Sequence, residues 1–278
     1  MTENSQHYYL RWTKTERYQH WILVVCFTLL AVTGFALKYH DAWWVQPLLI
    51  LEGRFGLRGW LHRLAAVLFM ALALYHAGYI LFTPRGRAQL KALRLRRQDW
   101  DDFKTNVQFW LGKRTAPPEF DHFSYMEKLE YWALAWGALV MAFTGFLLWF
   151  EDLSMQIFPF WILEVFTIIH LYEAWLATLA IFVWHLYAVV FSPQVYPLNM
   201  SMVDGRMSEA EMQKEHGREL ACLRAQAKGE EETEARDDHC AVTSQLMKKS
   251  SLTMGEVPNP LRKTQQDHGV RQRRPFCK

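Results

Sequence analysis

Four stretches of this chain are too apolar and too long for ordinary soluble helices, and they limit the fold more than any motif does. Residues 21–37, 64–82 and 131–150 contain no Asp, Glu, Lys or Arg, and 165–191 contains one, Glu173. A bilayer core about 30 Å thick is crossed by about 20 residues rising 1.5 Å each. With their flanks, all four runs reach that length. A mean hydropathy of −0.10 hides them because the intervening segments are strongly polar. A soluble bundle would need a polar face on each helix, which these runs lack. The expected fold class is an all-α membrane protein, a four-helix transmembrane bundle. The first run follows about twenty mostly polar residues and precedes no small-residue cleavage site with a soluble domain behind it. It is expected to remain as a helix rather than to act as a cleaved signal peptide.

Charge distribution sets the expected orientation. The connection 83–126 carries Arg85, Arg87, Lys91, Arg94, Arg96, Arg97, Lys104, Lys113 and Arg114, and the segment before the first helix carries Arg11, Lys14 and Arg17. The short connection after Phe150 opens with Glu151 and Asp152 and holds no Lys or Arg. The positive-inside rule places both termini and the long connection in the cytoplasm, in a multi-pass protein of the bacterial inner membrane. Lys38, Arg54 and Arg58 run against the rule, but helix parity puts them outside. Residues 1–198 are expected to be the membrane domain. Residues 199–278 read as a cytoplasmic extension, with a surface helix along "MSEAEMQKEHGRELACLRAQAKGEEETEA" and disorder beyond Arg236. Cys26, Cys222, Cys240 and Cys277 form no CxxC pair, so no disulfide framework, zinc site or covalent c-type haem is expected.

The chain repeats itself. "ERYQHWILVVCFTLLAVTGFALKY" (16–39) and "EKLEYWALAWGALVMAFTGFLLWF" (127–150) both open with Glu, place Trp five residues later and reach Thr-Gly-Phe in register. "HAGYILFTP" from His76 matches "HLYAVVFSP" from His185, and His62 matches His170 within one residue. Helices one and two are thus duplicated as helices three and four.

Histidines recur at fixed places in this repeat. His62 and His76 are fourteen residues apart, and His170 and His185 fifteen. At 100° per residue the first pair lies about 40° from alignment and spans roughly 21 Å; the second lies about 60° off and spans roughly 22 Å. His62 and His170 therefore share one depth near the outer face. His76 and His185 share another near the inner face, where His20 joins them. Ionisable groups inside a membrane are costly and mark function by default. A lone histidine most simply makes an interhelical hydrogen bond. Two layers of them fit neutral imidazoles as axial ligands of two b-type haems. Gly34 and Gly145, at matching positions, either leave room for a porphyrin face or let helices pack closely. Arg63 is a candidate partner for haem propionates. Glu173, one turn past His170, either accepts that imidazole's proton or bonds between helices.

"RYQHWILVVCFTLLAVTGF" closely resembles the first helix of the cytochrome b (gamma) subunit of membrane-bound formate dehydrogenase. Wider relatives are the b-type cytochromes of nickel-iron hydrogenases and thiosulfate reductases. The resemblance continues through "LHRLAAVLFMALAL", "YWALAWGALVMAFTGFLLW" and "IIHLYEAWLATLAIFVWHLY", covering about residues 8–220. It implies two haems b, the outer one held by His62 and His170 and the inner one by His20 and His185. It also implies a quinone site beside the inner haem, where "HFSYMEKLEY" offers Ser124, Glu127 and Lys128. Two departures stand out. His76 is not a usual ligand in that family; it resembles instead the second ligand of helix two in cytochrome b of quinol–cytochrome c complexes, and stands either as the alternative to His20 on the inner iron or as a contact to a haem propionate or the quinone. The fifteen-residue spacing in helix four requires a local bulge or a shifted ring.

These features lead us to expect an electron-transfer subunit linking a periplasmic redox partner, an iron–sulfur or multihaem cytochrome subunit, to menaquinone or ubiquinone. No molybdenum, nickel or iron–sulfur ligand set is present, so substrate chemistry is expected on another chain. The lipid bilayer and further copies of the complex complete the expected partners; nucleic acid is not among them. Two alternatives stay open: a self-contained transmembrane haem reductase, and a histidine-bearing transporter without haem.

Overall fold

The computed structural model describes residues 7–47, 50, 57–192 and 195–229. Below, "inner" denotes the end of the bundle where the chain's first helix begins, and "outer" the opposite end. Helix α1 (Lys14–Lys38) opens at Thr13, whose hydroxyl accepts from the Glu16 amide while the Glu16 carboxylate accepts from the Thr13 amide. Helix α5 (Tyr125–Trp149) opens the same way at Ser124 with Glu127. The repeat therefore extends to the caps, each worth about 1 kcal/mol. Helix α2 (Leu57–Phe82) leads at once into α3 (Pro84–Ala92), with the Thr83 hydroxyl capping the turn. A Cβ on Gly86 would collide with the Tyr79 carbonyl, so this turn requires glycine. Helices α4 (Arg97–Trp110) and α6 (Glu151–Ile157) are short surface pieces.

The fourth long helix, α7 (Phe160–Leu179), continues through π-helical turns at Ala180–His185 and Tyr187–Phe191. A π-bulge takes up one extra residue. Fifteen residues from His170 to His185 thus turn through about the angle that fourteen do in an α-helix. Of a local bulge and a shifted ring, the two readings of the longer spacing, the structure shows the bulge.

α1, α2, α5 and α7 with its extension to Phe191 are long and apolar enough to cross a membrane. The closest packing is α1 on α2 and α5 on α7. Across the hairpins contact runs through long side chains. Phe35 meets Trp175, and Arg63 lies over the Trp149 ring. His20 faces His185, and His76 faces Tyr131.

The inner end is closed by the described segments that precede the first long helix and follow the last. Strand β1 (Tyr8–Leu10) pairs antiparallel with β2 (Arg206–Ser208), Tyr9 opposite Met207. α8 (Ser201–Asp204), α9 (Glu209–Glu215) and helical residues 217–229 follow. The surface helix expected here is broken at His216 and is docked rather than free. Met207, Met212 and Leu220 form a small core beneath it, and Arg218 reaches Asp102 on α4 at 3.1 Å. Cys26 is a buried free thiol. The tail expected to be disordered, beyond Arg236, lies outside the described residues.

Candidate functional site

At the outer layer, two histidines sit in matching cradles. The Thr33 hydroxyl donates to the Leu29 carbonyl at 2.5 Å, so its oxygen is left to accept, and His62 Nδ1 lies 2.9 Å away. The Thr144 hydroxyl donates to the Val140 carbonyl at 2.7 Å and meets His170 Nδ1 at 2.8 Å. A hydroxyl has one proton to give. Both imidazoles are therefore protonated at Nδ1 and carry their lone pair on Nε2. A ligating histidine is usually prepared in this way, with its second nitrogen fixed by a partner that sets tautomer and orientation.

The glycines complete the cradles. A Cβ on Gly34 would lie 3.5 Å from His62 Cε1, and one on Gly145 would lie 3.1 Å from His170 Cε1. Of the two readings for these glycines, the structure shows close approach of an imidazole from the neighbouring helix. Glu173 is not the partner of His170. It lies against Gly137, whose Cβ would come within 2.6 Å of its carboxylate. Arg63 stacks over Trp149 at 5.4 Å.

At the inner layer, His20 and His185 have ring centres 6.3 Å apart. Metal–imidazole bonds are about 2.0–2.1 Å long, so a metal held between two imidazoles separates their centres by about 6 Å. His185 Nδ1 donates to the Glu130 carboxylate at 3.2 Å, again leaving Nε2 its lone pair. His20 Nδ1 is buried and has no hydrogen-bond partner among the described residues. Thr178 Oγ1, further along α7, is in the same condition. Buried polar atoms are rarely left alone, and a bound group is one ordinary reason. The residues present therefore fit a b-type haem at both layers.

His76 is placed differently. Its Nδ1 meets Gln19 Oε1 at 2.7 Å and its Nε2 meets the Tyr131 hydroxyl at 3.2 Å, so both ring nitrogens are engaged.

Ser124, Glu127 and Lys128 each have a partner. Ser124 and Glu127 form the α5 cap, Glu127 also faces Arg11 at 3.3 Å, and Lys128 pairs with Asp99 at 2.6 Å. Arg11, almost fully buried, further reaches His122 and Glu219. His122 Nδ1 lies 2.6 Å from Glu219, the shorter of its contacts. Burial and the Arg11 guanidinium push His122 well down. Burial and Arg11 likewise lower His216. Burial raises Glu219, and burial with the nearby Glu127 carboxylate raises Glu215 to about 7. On the opposite side Glu16 accepts from Arg85, Tyr79 and Gln89 at 2.7–2.8 Å.

Sequence reasoning about the histidines passed over Thr33, Thr144, Glu130 and Gln19. The first two were visible in the repeated Thr-Gly-Phe, where attention fell on the glycine. Glu130 and Gln19 occupy equivalent positions, one residue before Tyr131 and His20, and only the packing shows which histidine each one meets.

No curated protein matches the chain. The family model for prokaryotic cytochrome b561 matches residues 11–205, which takes in all four long helices and every histidine of the two layers. The chain therefore belongs to the prokaryotic cytochrome b561 family, which includes the cytochrome b subunits of hydrogenases and formate dehydrogenases, and it is a multi-pass membrane b-type cytochrome.

Proposed function

We infer that this cytochrome carries electrons across the bacterial inner membrane between a periplasmic iron–sulfur or multihaem partner and the quinone pool. His62 and His170 hold an outer haem b, and His20 and His185 an inner one. When bound, each haem supplies a one-electron carrier whose iron cycles between ferric and ferrous. The protein's part is to hold, orient and bury. Thr33 and Thr144 keep the lone pairs of His62 and His170 on Nε2, and Glu130 does so for His185. The basic inner end is assigned to the cytoplasm, so charge crosses the membrane as electrons move. One charge moved through 100 mV involves about 2.3 kcal/mol, which the potential difference between partner and quinone must cover or collect.

The quinone, menaquinone or ubiquinone, is assigned to the inner layer near the start of α5, where the sequence placed Ser124, Glu127 and Lys128. Of these, Glu127 is the most accessible, its side chain 38% exposed.

The observation that carries this reading is the 6.3 Å separation of His20 and His185, together with the two threonine-locked imidazoles of the outer layer. The test is reduction of membrane-bound haem b by menadiol and by a short-chain ubiquinol, followed in the visible spectrum. Reduction by at least one quinol is expected. Haem b that responds to dithionite and to neither quinol would remove the quinone link.

A further inference from the structure

The inner layer contains a second site related to the His20–His185 site by the internal repeat. The offset that carries Glu16 to Glu127 carries Gln19 to Glu130 and His20 to Tyr131, while His76 matches His185. The geometry follows the same exchange. Glu130 bonds His185 Nδ1, and its counterpart Gln19 bonds His76 Nδ1. His20 faces the His185 ring, and its counterpart Tyr131 faces the His76 ring. Each helix thus gives one of two adjacent residues to each site: α1 gives His20 and Gln19, and α5 gives Glu130 and Tyr131.

The twin site is not built for iron. Its second axial position is a tyrosine, and the imidazole has no nitrogen to spare. Gln19 Oε1 accepts only, so Nδ1 of His76 carries the proton and Nε2 accepts from Tyr131. The result is a directed chain, Tyr131 O–H to His76 Nε2 and His76 Nδ1–H to Gln19. Gln19 itself is 8% exposed, and its Nε2 amide donor is buried without a partner among the described residues. A donor that buried calls for an acceptor, which the described residues do not supply. His76 and Tyr131 are half-buried, within reach of a substrate. The charged group acting on His76 is Glu16 on α1, fixed by Arg85 and Tyr79.

We propose that Gln19, His76 and Tyr131 form the head-group site for the quinone, with His76 as the acid–base residue. This rests on the quinone-linked reading above and names the residues that would perform it. The Gln19 amide and the Tyr131 hydroxyl donate to a quinone oxygen. In the oxidising direction a quinol gives up two protons and two electrons. One proton passes from a quinol oxygen to His76 Nε2, replacing the Tyr131 hydrogen bond; the other leaves from the opposite oxygen to water. The two electrons would leave singly to the one-electron acceptor that a haem b held by His20 and His185 would supply. In the reducing direction the same groups work in reverse, and protonated His76 returns its proton to the oxygen. Gln19 adjoins His20 and Tyr131 adjoins Glu130, so this site borders the inner haem.

The test uses the full-length protein in detergent, with Tyr131→Phe and His76→Gln variants. Haem content and low-spin spectra are recorded first, then the rate of haem reduction by menadiol against pH. Both variants are expected to keep two low-spin haems. His76→Gln should slow reduction by about 100-fold, the low end of general acid–base contributions, and lose the wild-type pH dependence. Tyr131→Phe should slow it about 10-fold, mainly through KM. If wild type is reduced by menadiol and Tyr131→Phe matches it at every pH, the proposal fails while the quinone-linked reading stands. Loss of the inner haem alone in His76→Gln makes His76 an iron ligand and overturns the proposal. If that variant loses both haems through misfolding, Tyr131→Phe decides. If no quinol reduces wild type, the failure belongs to the broader reading.

Discussion

At the outer layer the two halves of the molecule are copies. Thr33, Gly34 and His62 have their counterparts in Thr144, Gly145 and His170, down to hydrogen bonds of 2.9 and 2.8 Å. At the inner layer the halves have diverged. His20 faces His185 across 6.3 Å, while the equivalent pair is Tyr131 and His76, joined by a hydrogen bond. The reason lies in how each pair relates to the repeat. His62 and His170 are equivalent to each other, so a haem held between them would have equivalent ligands, and a change at one is matched only by the same change at the other. His20 and His185 are not equivalent to each other. The repeat therefore generates a second, non-identical pair at the same layer. One copy suffices for electron transfer, so the twin is free to take up different chemistry.

The largest expected effects separate the layers. His62→Ala and His170→Ala should each remove one haem, to the same extent. At the inner layer equivalence should fail: His185→Ala and His20→Ala lose a haem, and His76→Ala retains it. Haem quantification checks all five variants. Loss of a haem in His76→Ala, with His20→Ala unaffected, would reverse the inner assignment.

Next in size is the effect of the threonines. Thr33→Val and Thr144→Val keep side-chain volume but remove the acceptor for Nδ1–H. Loss of such a partner typically weakens a metal site by about 10–100-fold. The two variants should behave alike, read as haem retention against a competing apoprotein and as a shifted outer-haem potential. A large effect in one and none in the other would show that the outer layer is not symmetric.

The glycines should give a smaller, graded difference. The Cβ of Gly145→Ala lies 3.1 Å from its imidazole and that of Gly34→Ala 3.5 Å from its own. The first must push His170 by a few tenths of an ångström; the second makes ordinary contact. Gly145→Ala should perturb the low-spin electron paramagnetic resonance signal of the outer haem more than Gly34→Ala. Equal perturbation would mean that the imidazoles, and not the helices, set the spacing.

The smallest effect belongs to the inner cap. Glu215 is raised from its ordinary 4.5 to about 7 by burial and by Glu127. The folded state therefore holds this proton more tightly than the unfolded chain. The stability so gained is present at low pH and is lost as pH rises through about 7. His122 and His216 act in the opposite sense, and only below their ordinary 6.5. Between pH 6.5 and 8 the thermal midpoint of wild type should fall, and Glu215→Gln should flatten that fall.

The four helices, the repeat and both histidine layers were legible because membrane burial restricts composition and the repeat keeps its landmarks in register. The bulge near His185 was legible too, since one extra residue between two otherwise matched histidines has to be taken up somewhere. The partners of the histidines were not. Thr33 follows an ordinary helical run and makes an i−4 bond that any threonine can make; only the approach of His62 from the next helix gives that bond a consequence. Glu130 and Gln19 look like routine polar residues at a helix entrance. Which imidazole each meets depends on the rotation of α1 and α5 about their axes, and periodicity leaves that free. Ser124, Glu127 and Lys128 read as a polar cluster from sequence; packing shows them joined to a cap and to two ion pairs.

The central claim is that two layers of histidine hold two haems, and the most direct measurement is the haem-to-protein ratio of the purified full-length cytochrome. The account predicts two b-type haems per chain, both low-spin, falling to one in His62→Ala. A ratio of one in wild type, or the absence of a Soret band, would contradict it.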